Sequence, residues 1–261
     1  MIARRALLAG VALLAAGCGS VVWPEVRYIA LGDSITGTLD SDTWPRFLVD
    51  SLEISDEAFA AEGAGGRTVS GGFERLSEIL DLGTYPDATV LIYFLGGADV
   101  IDFIASIDPA LTTAPSDGQF MFGDALNALL EDVRTGMLAT LELAQAAGFE
   151  IYMATYFSLP AGVAPCEALG TDALSSDQAA RVNEYVALLN EVISDLAFEF
   201  GATLVDLRLA NEALLGPPAP VPAPVPAPVP APVPAQFADC IHPNESGAEI
   251  IAARFAEVLL R

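Results

Sequence analysis

Short apolar segments alternate with longer amphipathic segments along most of this chain. Five apolar segments have the composition expected of strands, and the second of them is weaker than the rest. They span residues 26–31, 58–62, 88–95, 149–157 and 202–207. Between them, apolar residues recur at steps of three and four, which is typical of helices, as in 126–141, 178–200 and 248–260. This alternation predicts one α/β domain, 26–261, with about five parallel strands between layers of helices.

The segment 217–235 interrupts this alternation, because it is nearly a strict repeat of Pro-Ala-Pro-Val. Proline lacks the N–H group and restricts the residue before it, so a proline at every second position excludes a helix and predicts polyproline II. The helical pattern resumes after the repeat, so we interpret it as an insert within the domain. Two interpretations stay open: a repeat tolerated in a surface loop, or an arm that contacts another protein.

Residues 1–17 predict an export signal. Two arginines precede the apolar run 6–16, which is too short to cross a bilayer as a stable helix. The run ends in Leu-Ala-Ala-Gly followed by Cys18, which resembles a bacterial lipobox. We therefore expect an exported protein that contacts the membrane of the cell envelope through lipid on Cys18, with 18–25 as a short tether. The alternative is an ordinary signal peptide with an incidental cysteine.

The charge of the chain restricts its partners. The formal net charge is −24 at pH 7, and the sequence contains no lysine. Removal of Arg4 and Arg5 with the leader makes the exported chain more negative still. Such a surface repels phosphate backbones, so nucleic-acid binding is excluded and neutral or cationic substrates are favoured.

Two patterns near opposite ends of the chain carry candidate chemistry. The first predicted strand runs into Gly-Asp-Ser, which places Ser34 at the carboxyl edge of the sheet, where α/β proteins build their sites. The only histidine, His242, follows Asp239 by three residues in a predicted loop. That spacing lets the carboxylate accept from the imidazole Nδ1–H and leaves Nε2 to take a serine proton. The two patterns together predict Ser34 as nucleophile, His242 as base and Asp239 as the orienting acid.

Taken together, these motifs resemble the SGNH (GDSL-type) hydrolase family over nearly the whole exported chain. The matching motifs are Gly32-Asp33-Ser34, the segment 63–68 with Gly66 as its oxyanion-hole glycine, and the final pair Asp239 and His242. The resemblance implies a three-layer, flavodoxin-like α/β/α fold. It also implies hydrolysis of carboxylic esters or thioesters without metal or cofactor, on a small-molecule, glycan or lipid substrate. The backbone N–H groups of Ser34 and Gly66 would stabilise the oxyanion.

The third family motif differs in this chain. The family expects Gly-x-Asn-Asp, but residues 96–99 read Gly-Gly-Ala-Asp, so Ala98 replaces the asparagine that would donate to the oxyanion. Losing one such donor lowers turnover roughly 10²–10³-fold in other hydrolases. Asn183 or Asn244 is a candidate to supply the missing donor. The alternative is a catalytically impaired envelope binding protein that uses the proline-rich arm.

Two further pairs of residues have expected roles. Asp33 and Asp99 are interpreted as structural turn residues rather than proton carriers. Cys166 and Cys240 remain after the leader, and a cysteine pair outside the cytoplasm tends to oxidise. We therefore favour a Cys166–Cys240 disulfide over two buried thiols. Cys240 lies between the predicted acid and base, so this bridge would hold their loop.

Overall fold

The computed structural model describes residues 25–40, 42–107, 123–215 and 236–261. The predicted signal 1–17, the lipidation site Cys18 and the proline repeat 217–235 lie outside these ranges. The boundaries assigned to the leader, its tether and the insert therefore stay predictions.

Five parallel strands form one central sheet, as the alternation of segments predicts. They are β1 (Tyr28–Gly32), β2 (Phe59–Gly63), β3 (Val90–Phe94), β4 (Glu150–Ala154) and β5 (Thr203–Val205). Their order across the sheet is β2-β1-β3-β4-β5. This is the flavodoxin-like order, in which the chain reverses its direction of winding between β1 and β3. Ligands of such folds bind beyond the carboxyl ends of the strands at that point.

The described helices cover both faces of the sheet. They are α1 (Trp44–Ser51), α2 (Val69–Leu82), α3 (Gly97–Ile107), α4 (Gly123–Ala146), α5 (Ser176–Phe200), α6 (Asn211–Leu215) and α7 (Glu245–Leu259). Helix α1 packs against α7, whereas α4 packs against α2 and α5, and α3 packs against α5. The predicted three-layer α/β/α fold is therefore confirmed. Within the described ranges, no helix is long and apolar enough to cross a membrane.

The register of the sheet brings three loops to one edge. Gly32 at the end of β1 pairs with Gly63 at the end of β2 and with Phe94 at the end of β3. The segments that follow these three strands carry Ser34 and Gly66 in loops and Ala98 in the first turn of α3, respectively. Segments that are more than sixty positions apart in sequence therefore begin next to each other at this edge of the sheet.

Helix α2 approaches the end of β3 closely, and glycine makes this approach possible. A Cβ atom on Gly72 would lie 2.2 Å from Leu95 Cδ1, so a larger residue would displace either the Leu95 side chain or the helix. Thr68 caps the helix by accepting a hydrogen bond from the backbone N–H of Gly71. Glycines inside a helix lower its propensity, which is why the sequence pattern gave no clear helix here.

An aromatic cluster joins the outer helices α1 and α7 to the sheet. The Trp44 ring, buried at the start of α1, stacks on Phe255 of α7 with a centroid distance of 4.3 Å. Its distance to the ring of Phe94 at the end of β3 is 6.5 Å. Large buried rings contribute strongly to packing. The cluster holds α7 through Phe255 in its second half, and the start of α7 follows closely on the loop that carries His242.

Candidate active site

Ser34 lies in a tight turn directly after β1. The Oδ1 atom of Asp33 accepts a hydrogen bond from the backbone N–H of Ile35 at 3.0 Å, and Gly37 N–H donates to Asp33 O at 3.2 Å. Gly37 has a φ of 57°, a conformation that favours glycine. A Cβ on Gly63 would lie 2.2 Å from Gly37 O, so the loop after β2 fits against this turn only because residue 63 is glycine. The turn that presents Ser34 is therefore held from within and from the neighbouring strand.

The structure brings Ser34, His242 and Asp239 into one chain of hydrogen bonds. His242 Nε2 lies 2.8 Å from Ser34 Oγ, and His242 Nδ1 lies 2.7 Å from Asp239 Oδ2. Asp239 Oδ1 also accepts from the backbone N–H groups of Ile241 and His242, each at 2.7 Å. Burial raises the pKa of Asp239, but these hydrogen bonds outweigh burial, and its pKa lies below its ordinary value. Asp239 therefore stays ionised beside the imidazole at neutral pH.

The loop that carries His242 is tied to the loop after β4. A disulfide joins Cys240 to Cys166, and the backbone N–H of Cys240 donates to Pro165 O at 3.2 Å. Within the loop, Ala238 N–H donates to His242 O at 2.9 Å. The structure thus contains the disulfide that the sequence favours, one residue from Asp239 and two residues from His242.

Ser34 and His242 open into a cavity of about 290 Å³. Its walls are mostly apolar. The apolar side chains that line it include Ile101, Phe157, Leu159, Val186, Leu189 and Ile241. The charged side chains among the described lining residues are those of Asp33 and Asp102, and no arginine is among them. Nowhere in the described ranges do three His, Cys, Asp or Glu side chains gather in a way that could hold a metal ion.

The residues expected to form an oxyanion hole border the same cavity. Gly66, in the loop between β2 and α2, has a φ of 68° and lines the cavity with Ser34. Ala98, in the first turn of α3, lines it as well. A methyl group is therefore present where the family motif has an amide, and two backbone N–H groups remain as candidate donors.

This chain matches a known protein family over most of its length. Residues 30–250 match the model of the GDSL-like Lipase/Acylhydrolase family. The chain belongs to this family. A comparison with curated protein sequences gave no match.

Solved structures support the same fold for this GDSL-like acylhydrolase. It is similar to a lipolytic G-D-S-L family protein from Veillonella parvula, with a TM-score of 0.59 and 17% identity over 90% of this chain and 99% of that one. It is also similar to a putative lipolytic G-D-S-L protein from Desulfitobacterium hafniense (TM-score 0.55, 15% identity, 89% and 99% covered). The acetyl xylan esterase AlAXEase gives a TM-score of 0.55 and 16% identity, with 88% and 98% covered. At these identities the likeness concerns the fold.

The two asparagines expected to replace the missing donor are engaged elsewhere. The Asn183 amide accepts from Leu159 N at 2.6 Å and donates to Leu159 O at 3.0 Å. Asn244 Oδ1 caps α7 by accepting from Gly247 N at 3.2 Å. Neither side chain lines the cavity in this acylhydrolase. The expectation that one of them takes over from Ala98 therefore finds no support, since both amides have structural partners.

Sequence reasoning missed Tyr156, which lines the cavity beneath Ser34. Its hydroxyl donates to Asp33 Oδ2 at 2.6 Å, and both side chains are buried. Burial raises the pKa of Asp33 to about 6, although the hydrogen bonds from Tyr156 and Ile35 lower it. Tyr156 stands in the apolar segment 149–157, where an aromatic residue is expected in the core. Its sequence context therefore carried no signal of a contact with the active site.

Asp99 links the starts of two helices. Its Oδ2 atom accepts from the backbone N–H of Val69, the first residue of α2, at 3.0 Å. Burial raises the pKa of Asp99 to about 6, and the nearby charges of Asp102 and Asp33 raise it further, while the Val69 hydrogen bond lowers it. Asp33 accepts a backbone N–H within its own turn, whereas Asp99 lies in the first turn of α3 and accepts one from the start of α2.

Proposed function

We propose that this GDSL-like acylhydrolase is a serine hydrolase that cleaves carboxylic esters, with thioesters as a related substrate class. The observation that carries the proposal is the hydrogen-bonded chain from Ser34 Oγ to His242 Nε2 at 2.8 Å and from His242 Nδ1 to Asp239 Oδ2 at 2.7 Å. A nucleophile, a base and an orienting acid in this order are what acyl transfer through an activated serine requires.

The acylation step uses these three groups in sequence. His242 Nε2 takes the hydroxyl proton while Ser34 Oγ attacks the ester carbonyl, and a tetrahedral oxyanion forms. Asp239 stabilises the imidazolium that results. The imidazolium then gives its proton to the departing alcohol oxygen, so the C–O bond to the alcohol breaks and the acyl group stays on Ser34.

Deacylation repeats the chemistry with water as the nucleophile. His242 takes a proton from the water, which attacks the acyl carbon. The proton then returns to Ser34 Oγ as the carboxylic acid leaves. In both steps the backbone N–H groups of Ser34 and Gly66 stabilise the oxyanion. Ala98 contributes no side-chain donor, so we expect lower turnover than an asparagine at that position would allow.

The cavity supports an ester with an apolar acyl group. Its walls are mostly aliphatic and aromatic side chains, which favour binding of hydrocarbon over charged groups. Asp33 and Asp102 are the charged residues among the described lining, and the chain carries a net charge of −24. Both features disfavour polyanionic glycan esters. Short-chain acyl esters, acetylated neutral glycans and lysophospholipids remain as candidate substrates.

We also propose that the enzyme acts outside the cytoplasm, anchored to the cell envelope by lipid on Cys18. The support comes from the sequence: the charged and apolar leader, and the lipobox-like residues before the cysteine. A disulfide between Cys166 and Cys240 agrees with an oxidising compartment.

A labelling experiment tests the proposed activity. Purified protein is incubated with a fluorophosphonate probe and, separately, with p-nitrophenyl acetate, beside a Ser34→Ala variant. We expect covalent labelling at Ser34 and release of p-nitrophenol by the wild-type protein alone. A wild-type protein that neither labels nor turns over would instead match the binding protein considered as the alternative.

A further inference from the structure

The hydroxyl group of Tyr156 connects two loops of the active site. It donates to Asp33 Oδ2 at 2.6 Å across a sequence separation of 123 residues. The aromatic ring also fills the space beside Gly97, where a Cβ atom would lie 2.5 Å from Tyr156 Cε1 and 3.1 Å from Asp33 Oδ2. Tyr156 therefore touches the residue before Ser34 and the residue before Ala98.

All four hydrogen-bonding groups of Asp33 are engaged. Its backbone N–H donates to Phe94 O at 3.3 Å, its backbone O accepts from Gly37 N, Oδ1 accepts from Ile35 N, and Oδ2 accepts from Tyr156. Asp33 supplies the carbonyl half of the peptide bond whose nitrogen belongs to Ser34. A peptide unit is planar, so a fixed Asp33 fixes the direction of the Ser34 N–H.

Tyr156 is itself held rigidly. Its backbone N–H donates to Asn190 Oδ1 at 2.6 Å, and its backbone O accepts from Asn190 Nδ2 at 2.8 Å. Its ring lies 4.6 Å from the ring of Phe94, centroid to centroid. Only 4% of Tyr156 and 2% of Asp33 is exposed. The hydroxyl that reaches Asp33 therefore has a well-defined position.

We propose that Tyr156 is a positioning residue for Ser34, which it orients through the hydrogen bond from its hydroxyl to Asp33. The inference rests on the proposed serine hydrolase function. Since Ala98 supplies no side-chain donor, two backbone N–H groups serve the oxyanion, and one of them is that of Ser34. A small error in its direction removes a larger share of the stabilisation than it would beside a third donor.

If Tyr156 had a purely structural role, its hydroxyl group would not be required. A ring that only fills space next to Gly97 needs no hydroxyl, and phenylalanine would fill the same volume. Burying a phenol hydroxyl together with a carboxylate is unfavourable unless the two are paired. The pairing at 2.6 Å places the hydroxyl where it acts on Asp33 rather than on packing alone.

The first test compares two tyrosine variants. We expect Tyr156→Phe to lower kcat for p-nitrophenyl acetate about ten- to hundredfold, because small misplacements of reacting groups have effects of this size. KM is expected to change less than about twofold, since the acyl cavity keeps its shape. The matched control is Tyr152→Phe. In the wild-type protein the Tyr152 hydroxyl donates to Glu150 Oε1 at 2.8 Å, and both residues lie on β4. That control is expected to keep the wild-type kcat.

The second test asks whether Tyr156 acts through Asp33. A double-mutant cycle combines Tyr156→Phe with Asp33→Ala. We expect Tyr156→Phe to have no further effect on kcat once Asp33 is alanine, provided that turnover stays above that of Ser34→Ala. Asp33→Asn serves as the second background if the alanine variant does not fold, and the effect of Tyr156→Phe is expected to shrink there.

Three outcomes would overturn the proposal. They are a Tyr156→Phe variant with the kcat of Tyr152→Phe, an equal loss of kcat in both backgrounds, and a loss of kcat matched by an equal loss of folded protein in circular dichroism. Labelling of the wild-type protein at Ser34 is measured alongside. A protein that labels at Ser34 but is indifferent to Tyr156 removes this inference and leaves the proposed function intact.

Discussion

His242 Nε2 lies 2.8 Å from Ser34 Oγ, although 208 residues separate the two in sequence. The docking of helix α7 joins them. Ser34 follows β1, and His242 precedes α7, which packs against α1. The imidazole is further constrained by Asp239, which bonds both its ring and its backbone N–H.

Replacing Asp239 should impair the base. In Asp239→Asn the amide cannot accept two N–H groups and the ring Nδ1–H as an ionised carboxylate does, so the imidazole loses its orientation and its tautomer. We expect kcat for p-nitrophenyl acetate to fall roughly 10³–10⁴-fold. Asp195→Asn, at an exposed position on α5, serves as the control and should leave kcat unchanged. An Asp239→Asn variant within tenfold of wild type would contradict the assigned role.

Restoring a side-chain donor at position 98 should raise turnover. Ala98 borders the cavity beside Ser34 and Gly66, so the amide of Ala98→Asn has access to the developing oxyanion. We expect kcat to increase by about ten- to a hundredfold, a fraction of what such donors contribute elsewhere. Ala98→Leu adds similar bulk without a donor and should not raise kcat. If neither variant increases kcat, another group already serves this part of the oxyanion hole.

Reducing the disulfide should loosen the loop that carries the base. Cys166 and Cys240 are separated by 74 positions, and closing a loop of that length stabilises a fold by about 4 kcal/mol in the chain-entropy model, which is an upper figure. We expect dithiothreitol to lower both the urea midpoint of unfolding and kcat. A Cys166→Ser, Cys240→Ser double variant should show the same losses without reductant. Thiol titration verifies reduction; free thiols together with an unchanged kcat would refute a role in positioning His242.

The buried carboxylates should make the fold more stable in mild acid. The pKa of Asp33 and that of Asp99 are each about 6 in the folded protein, above the ordinary value of 3.8. The folded state therefore binds more protons than the unfolded state between pH 4 and 6, and stability falls as pH rises through that window. We expect the free energy of unfolding to be greater at pH 5 than at pH 7.5, by on the order of 2 kcal/mol.

Urea unfolding at several pH values measures this effect. Asp99→Asn keeps an acceptor for the backbone N–H of Val69 but cannot titrate, so it should flatten the pH dependence of stability. Asp239, whose folded pKa is lowered, acts in the opposite sense: its contribution is present above its ordinary pKa and is lost as pH falls through its folded pKa. A free energy of unfolding that rises steadily from pH 5 to 7.5 would rule out the assigned protonation.

Removing Cys18 should release the protein from the membrane. In the expressed full chain, Cys18→Ser eliminates the thiol that would carry lipid, and metabolic labelling with a radioactive fatty acid should then fail. We expect the wild-type protein in the membrane fraction and the variant in the soluble envelope fraction. Equal fractionation and equal labelling of the two proteins would point to an ordinary signal peptide.

The sequence predicted the features that depend on local patterns. Four of the five strands were visible because their segments are apolar and contain β-branched or aromatic residues, whereas β2, which reads Phe-Ala-Ala-Glu-Gly, gave a weaker pattern that the glycines after it marked as ending. Ser34, Asp239 and His242 could be named because their motifs are short and contiguous. Helix α2 was not among the segments named as helical, and Gly71 and Gly72 lower its helical propensity. Gly72 instead allows close contact with Leu95.

The features that the sequence could not predict depend on where side chains meet. The hydroxyl of Tyr156 reaches Asp33 from the loop after β4, a strand two positions away from β1 in the sheet, and nothing near residue 156 identifies that partner. Asn183 was a candidate oxyanion donor by residue type alone. Its actual partner is the backbone of Leu159, which no spacing rule would select.

The stacking of Trp44 on Phe255 has a consequence for the order in which the site is assembled during folding. Helix α7 and the loop that carries His242 come more than 200 residues after Ser34, and the two stacked rings hold α7 against α1. A chain in which α7 has not yet docked on α1 therefore has the candidate nucleophile but lacks the candidate base beside it. Completion of the candidate site thus depends on the docking of α7.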